Sequence, residues 1–384
     1  MRRARSPLLV KALAALTLLL GVSAAIVAPA SASACGAAIE GAQLFGVAAT
    51  SASDAWAVGN YRIGSAPTRT LILRWDGSSW CPVASPNPGG PTEPHGLTSV
   101  TATSASNAWA VGYYPIGTGA WQTLILRWNG TAWQQVTSPS PGPWFNFLVG
   151  VAARSASNAW AVGHYSNGVA SQTLILHWNG AAWQQVISPD PGAYNYLAGV
   201  AASSASNAWA VGASSPGARS LTTRWDGTAW KLISSPNPDG GSSLSAVAAT
   251  SASNAWAAGR SATGARDNNL VLHWNGTSWH QATTPNPGVD SSLFGVAATS
   301  ASNVWAVGFY ETRGLVDRTQ ILHWNGSTWR RAITPSPGVH NILYGAAATS
   351  ASNAWAVGAT STESAESTLI LRWNGSAWTR VPSP

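Results

Sequence analysis

Three histidines, His177, His273 and His323, are the first residues to test for chemistry, because imidazole nitrogens are habitual zinc ligands. Each precedes a Trp-Asn-Gly triplet, at a place where other copies of the same motif carry Arg74, Arg127, Arg224 or Arg372. One such position per copy scatters the rings, whereas a metal needs ligands converging to about 2 Å, so no metal or cofactor is expected. The 13 acidic residues include no pair spaced for general acid and base work. Sialidase-type chemistry would need clustered arginines with a Tyr and a carboxylate. Arg62, Arg69, Arg219, Arg266, Arg313 and Arg318 have no such companions. The Asn-Gly-Ser/Thr triplets are formal glycan acceptors, but their recurrence points to turn chemistry.

The only cysteines are Cys35 and Cys81, and Cys81 replaces Gln134, Gln184, Lys231, His280, Arg330 or Thr379 of the other copies. Outside the cell, this pair is expected as a disulfide tying an N-terminal tail (35–43) to an outer strand, stabilising by about 4 kcal/mol. A lipidated Cys35 is the alternative, disfavoured by Ala32 where lipoprotein signals prefer Leu.

Arg2, Arg3, Arg5 and Lys11 precede an apolar run from Ala12 to Val27 and then Ala30-Ser31-Ala32 and Ala32-Ser33-Ala34. Residues 1–34 therefore read as a signal peptide cleaved near Ala32 or Ala34, and a secreted protein is expected, with no membrane span after cleavage. Four of the 20 Lys and Arg lie in that leader. The remaining 16 against 13 acidic residues make +3 of the formal +7, too little for a phosphate-backbone footprint, so no nucleic acid is expected.

The elements that position these residues follow from an internal repeat. The segment Ala-Trp-Ala-Val-Gly or a variant recurs with its Trp at 56, 109, 160, 209, 256, 305 and 355, a period of roughly 50 residues. Each copy opens on Leu-x-x-Val/Ala-x-Ala and passes a Trp-Asn/Asp-Gly-x-x-Trp turn, and the first six close on Ser/Thr-Pro-x-Pro. Four strands fit one unit: a small-residue strand a (Leu97 to Ala102), b (Ala108 to Gly112), c (Thr123 to Trp128) and d (Trp133 to Val136). Strand b alternates Trp109 and Val111 with alanines, and c aligns Leu124, Leu126 and Trp128 on one face. The expected fold is all-β, a seven-bladed β-propeller with four antiparallel strands per blade over 44–384. The repeats run about 44–96, 97–147, 148–196, 197–243, 244–292, 293–342 and 343–384. Of 23 Trp, 21 recur at strand positions and are read as packing between blades.

On these motifs the unit resembles the bacterial propeller repeats of the kelch, Asp-box (bacterial neuraminidase) and tectonin-like families. The resemblance is one of architecture. Strand b ends Val111-Gly112 where a kelch repeat has Gly-Gly, and Asp76-Gly77 and Asp226-Gly227 are adjacent where an Asp box inserts a residue. The resemblance therefore implies a fold and transfers no activity.

Strand alternation sends the nearly invariant a-to-b and c-to-d loops to one face and the divergent b-to-c and d-to-a loops to the other, where binding is expected. Tyr113, Tyr114, Trp121, Trp144, Phe145, Phe147, Tyr165, Tyr194 and Tyr196 fall in or beside the divergent loops of blades 2 to 4 and form the candidate ligand-binding set. The expectation is a monomeric, non-catalytic module for an extracellular protein or carbohydrate, with no catalytic residue. The alternative is a polysaccharide-active hydrolase or lyase using the funnel.

Overall fold

The computed structural model describes residues 35, 39 and 41–384, apart from 91–92, 118, 239–240, 265 and 363–364. The expected leader (1–34), and residues 36–38 and 40 of the N-terminal tail, lie outside the described residues. Among those described, 28 strands form an all-β propeller of four-stranded antiparallel blades. In repeat 2 they are a, Gly96–Ser104; b, Asn107–Ile116; c, Ala120–Trp128; and d, Trp133–Gln135. Five hydrogen-bonded sheets have four strands and one has eight, its two halves joined by the single parallel bridge Ser171 to Tyr194.

The alternating pattern sorts side chains between neighbouring sheets. Trp109, Val111 and Ile125 of repeat 2 pack against Leu148, Leu174, Trp178 and Trp183 of repeat 3, while Ala108 and Ala110 back onto Trp56 of repeat 1. The strand-b indole inserts between the strand-c and strand-d indoles of the next repeat: Trp56 lies 4.9 Å from Trp128 and 5.1 Å from Trp133. The same triad joins the last repeat to the first, with Trp355 at 5.1 Å from Trp75 and 5.2 Å from Trp80. Each indole buries roughly 200 Å², worth on the order of 5 kcal/mol before entropy is subtracted. Strand-c indoles donate to a loop carbonyl, as Trp128 Nε1 does to Ala105 at 3.0 Å. The strand-b and strand-d indole N–H groups have no conventional acceptor, and the paired rings stand nearly perpendicular to each other.

Two repeated devices set the backbone. A Cβ on Gly112 would stand 1.9 Å from the Gly96 carbonyl oxygen, so the Gly that ends Ala-Trp-Ala-Val-Gly permits strands a and b to close up. After strand d, the Ser/Thr-Pro-x-Pro tail returns along strand c. Ser140 Oγ accepts the Thr123 N–H at 3.0 Å and Ser138 Oγ bonds Thr123 Oγ1 at 2.7 Å. The residue between the prolines thus caps strand c.

The first and last sheets each keep their own four strands, so the ring closes without strand exchange. Repeat 1 comprises strands Gln43–Ala49, Ala55–Tyr61, Arg69–Trp75 and Trp80–Pro82; repeat 7 comprises His340–Ser350, Asn353–Ser361, Glu366–Trp373 and Trp378–Arg380. Cys35 and Cys81 form the expected disulfide, with Cα atoms 4.5 Å apart. The tail it anchors reaches across to repeat 7: Ile39 packs on the cluster holding Trp355, and Gly41 N–H donates to Glu366 O at 3.1 Å.

Candidate functional site on the variable face

The two ring faces differ in construction. On the invariant face the c-to-d turn rests on the a-to-b loop, and the Asn129 carboxamide oxygen accepts the N–H groups of Thr131 and Ala132 at 2.9 and 3.0 Å, with Gly130 at φ +100°. In repeat 1, Asp76 fills that role. The Ser78 hydroxyl and then the Ser79 and Ser78 N–H groups hold its pKa at about 2. On the opposite face the b-to-c and d-to-a segments interleave, Trp121 N–H donating to Trp144 O at 2.7 Å and Ser166 N–H to Phe145 O at 2.9 Å.

The histidines weighed for metal binding lie one per repeat, each stacked on the strand-b indole of its own sheet: His177 on Trp160 at 4.1 Å, His273 on Trp256 at 4.1 Å and His323 on Trp305 at 3.9 Å. Arg127 covers Trp109 in the same way, 4.9 Å from the ring. This position is a lid on the inter-blade indole. Burial lowers the pKa of all three rings, with a further push on His273 from His280.

Most of the candidate aromatics converge. Tyr113 sits 4.8 Å from Phe147 and 5.4 Å from Trp121; Phe147 stacks with Phe145 at 6.0 Å and reaches His164 at 5.4 Å, and His164 leads to Tyr196 at 6.3 Å. The result is a belt across repeats 2 to 4. Burial raises the pKa of Tyr113 and lowers that of His164, whose Nδ1 has no hydrogen-bond partner. Phe145 (46%) and Tyr194 (59%) stay substantially exposed, an unusual state for rings on a rigid scaffold. Trp144 is also exposed, with no ring stacked on it among the described residues. Tyr114 and Tyr165 do not join the belt. Their neighbours on strand b face one way, so they face the other, Tyr114 packing on the Trp56 cluster and Tyr165 on the Trp109 cluster.

Two hollows flank Tyr194, which lies on strand a of repeat 4 (Tyr194–Ser204) itself and not in a loop. One, of about 380 Å³, is bordered by Phe145, Phe147, His164 and Val169. The other, of about 420 Å³, lies between repeats 4 and 5 and is lined by Tyr196, Ser242, Arg260 and Asp267. Arg260 Nη1 pairs with Asp267 Oδ2 across strands b (Asn254–Thr263) and c (Arg266–Trp274) of repeat 5, and Ser242 Oγ is buried with no partner.

A further aromatic set escaped the sequence reading. In every repeat the residue after the first Leu of strand a is bulged out of the a–b ladder and faces a central cavity of about 400 Å³. Four repeats place Thr98, Val149, Ala198 and Ser245 there; repeats 6, 7 and 1 place Phe294, Tyr344 and Phe45, with Tyr344 5.5 Å from Phe294 and 5.2 Å from Phe45. Beside them His340 Nδ1 pairs with Asp317 Oδ2 at 2.8 Å and Gln43 donates to Glu366. Burial first, then the Glu366 and Asp317 charges, raise the Tyr344 pKa.

Four-stranded blades around a central cavity, with turns conserved on one side and loops diverging on the other, define a β-propeller scaffold. No family model matches the chain, and no curated protein does. Among solved structures it is similar to YCF48 from Cyanidioschyzon merolae (16% identity, 87% of this chain and 96% of that one, TM-score 0.54). It is likewise similar to YCF48 bound to D1 peptide (16%, 88% and 95%, 0.52) and to an ulvan lyase of polysaccharide lyase family PL25 bound to -[GlcA(1-4)Rha3S]- (8%, 91% and 97%, 0.58). At these identities the likeness is one of fold.

Proposed function

We propose that the chain is a secreted, seven-bladed, non-catalytic propeller, kelch-like and Asp-box-like in architecture, whose variable face captures an extracellular protein or cell-surface glycan. The count of seven is supported by the eight-stranded sheet parting at one residue pair. The binding reading rests on one observation: large rings stay exposed along a belt confined to the face whose loops diverge, while the indoles of the repeat are buried or half-buried between the blades. The neighbours named above include one bound to a peptide and one bound to a saccharide, and that range of partner is the one admitted here. The test is retention of the secreted chain on cell-wall preparations and on immobilised extracellular protein. A Phe145→Ser/Tyr194→Ser variant should lose at least about tenfold in affinity, the scale of one or two exposed anchors, whereas Ser327→Ala on the invariant face should not. Equal retention by all three forms would remove the reading.

A second reading, a polysaccharide-active hydrolase or lyase, is motivated by the Asp317–His340 pair, whose carboxylate charge is felt by Tyr344. Turnover of any polysaccharide in a panel, abolished by His340→Gln, would put it first.

A further inference from the structure

We propose that the two hollows flanking Tyr194 are adjoining subsites of one groove for a neutral oligosaccharide of at least two sugar units. The inference rests on the binding reading above and names its ligand. Tyr194 borders both hollows and is 59% exposed, so its ring forms the ridge across which a chain must pass. A flat, rigid, solvent-facing phenol stacks well on the C–H face of a pyranose and costs little side-chain entropy to hold still. Beyond it, Arg260 spends an N–H on Asp267 and keeps its remaining donors beside the carboxylate's free lone pairs, with no net charge on the pair. Vicinal sugar hydroxyls, each both donor and acceptor, match that array. A uronate or an acidic peptide would instead need an unpaired cation. Ser242 and His164 also line the walls, but Ser242 Oγ and His164 Nδ1 are closed to solvent, so polar contacts to a sugar fall to the exposed parts of Arg260 and Asp267.

The alternative polymer, an extended peptide added as a strand, finds only a short edge: the outermost strand of each blade is three or four residues long, and in repeats 1 to 6 it gives way to a Ser/Thr-Pro-x-Pro tail whose prolines have no N–H to offer. Size agrees as well: two hollows near 400 Å³ are at the small-ligand end of binding cavities and suit successive rings better than a folded partner's loop.

The experiment is calorimetric titration of the secreted full chain with tetrasaccharides of β-1,4-glucose, β-1,4-N-acetylglucosamine, β-1,4-xylose, α-mannose and α-1,4-galacturonate. At least one neutral tetrasaccharide should bind, and its disaccharide should bind about tenfold more weakly. Tyr194→Ala should lose at least tenfold, Tyr194→Phe should retain affinity, and Asp267→Asn should lose about fivefold; near-UV circular dichroism shows that each variant is folded. Preference for the galacturonate, or a Tyr194→Ala variant that binds as the parent does, overturns the groove. If no tetrasaccharide binds while protein capture remains sensitive to Phe145→Ser/Tyr194→Ser, the saccharide groove falls and the binding propeller stands. If capture too is indifferent to those changes, both fall.

Discussion

His177 shows how much of a repeat's stability resides in one ring. Its Nε2 and the Asn158 Oδ1 are both buried and unpartnered, whereas His273 and His323 reach Asn254 and Asn303 at 2.9 and 2.8 Å. In repeat 4, Arg224 donates through Nε to Asn207 Oδ1 at 2.8 Å and through Nη2 to the Ala252 carbonyl of the next repeat at 3.1 Å. His177→Arg is therefore expected to raise stability by about 1 kcal/mol, read as a higher urea midpoint with an unchanged slope. The buried imidazoles also set a pH dependence. His164, His177, His273 and His323 are all held below 6.5 in the fold, chiefly by burial. As pH falls below that value the unfolded chain takes up protons first. Stability is then complete above about pH 7 and declines as pH drops through the window from 6.5 to the lowered native values. Melting curves from pH 7.5 to 5 should show this decline, and His177→Arg should make it shallower; a flat profile would mean that the rings are not desolvated.

At the scale of the element, the Ser/Thr-Pro-x-Pro tail is a working part of the sheet. Asn87 Oδ1 accepts the Thr70 N–H at 2.9 Å, Asp190 Oδ1 that of Thr173 at 2.7 Å and Asn286 Oδ1 that of Asn269 at 2.8 Å. Asn87→Ala should cost about 1 kcal/mol and speed hydrogen exchange at Thr70 with little change at Thr123, whose cap belongs to another tail. The strands and their buried faces were legible in the sequence because seven copies repeat the same alternation, so each indole's side is fixed many times over. The site was less legible for a physical reason. Phe45, Phe294 and Tyr344 follow a core Leu and look like ordinary alternation, yet the bulge at that place turns them to the cavity. Arg260 and Asp267 meet Tyr196 only because repeats 4 and 5 pack side by side, and no spacing within a repeat encodes that. Tyr114 and Tyr165 illustrate the converse: beside a loop in sequence, but turned inward by strand parity.

For the whole molecule, the closing interface matters most. Trp355 meets Trp75 and Trp80 as every other strand-b indole meets its pair, and Arg372 donates across the same seam to Ala52 O at 3.1 Å. Trp355→Ala should thus cost about 3–5 kcal/mol, the same as Trp109→Ala within the ring, and both should lower a single calorimetric transition. A markedly cheaper Trp355→Ala would mean that the first and last repeats are not equivalent neighbours. The disulfide joins the tail to repeat 1 alone, so the hold of that tail on repeat 7 remains non-covalent.

Because each four-stranded sheet is drawn wholly from one repeat, no sheet depends on a strand lent by the opposite end of the polypeptide. Duplication or deletion of a whole copy by recombination would leave every ladder complete and alter only the circumference and the wedge angle between neighbours. Such an architecture lends itself to change in copy number, and the diverging rim gives each added copy a fresh surface for selection to work on.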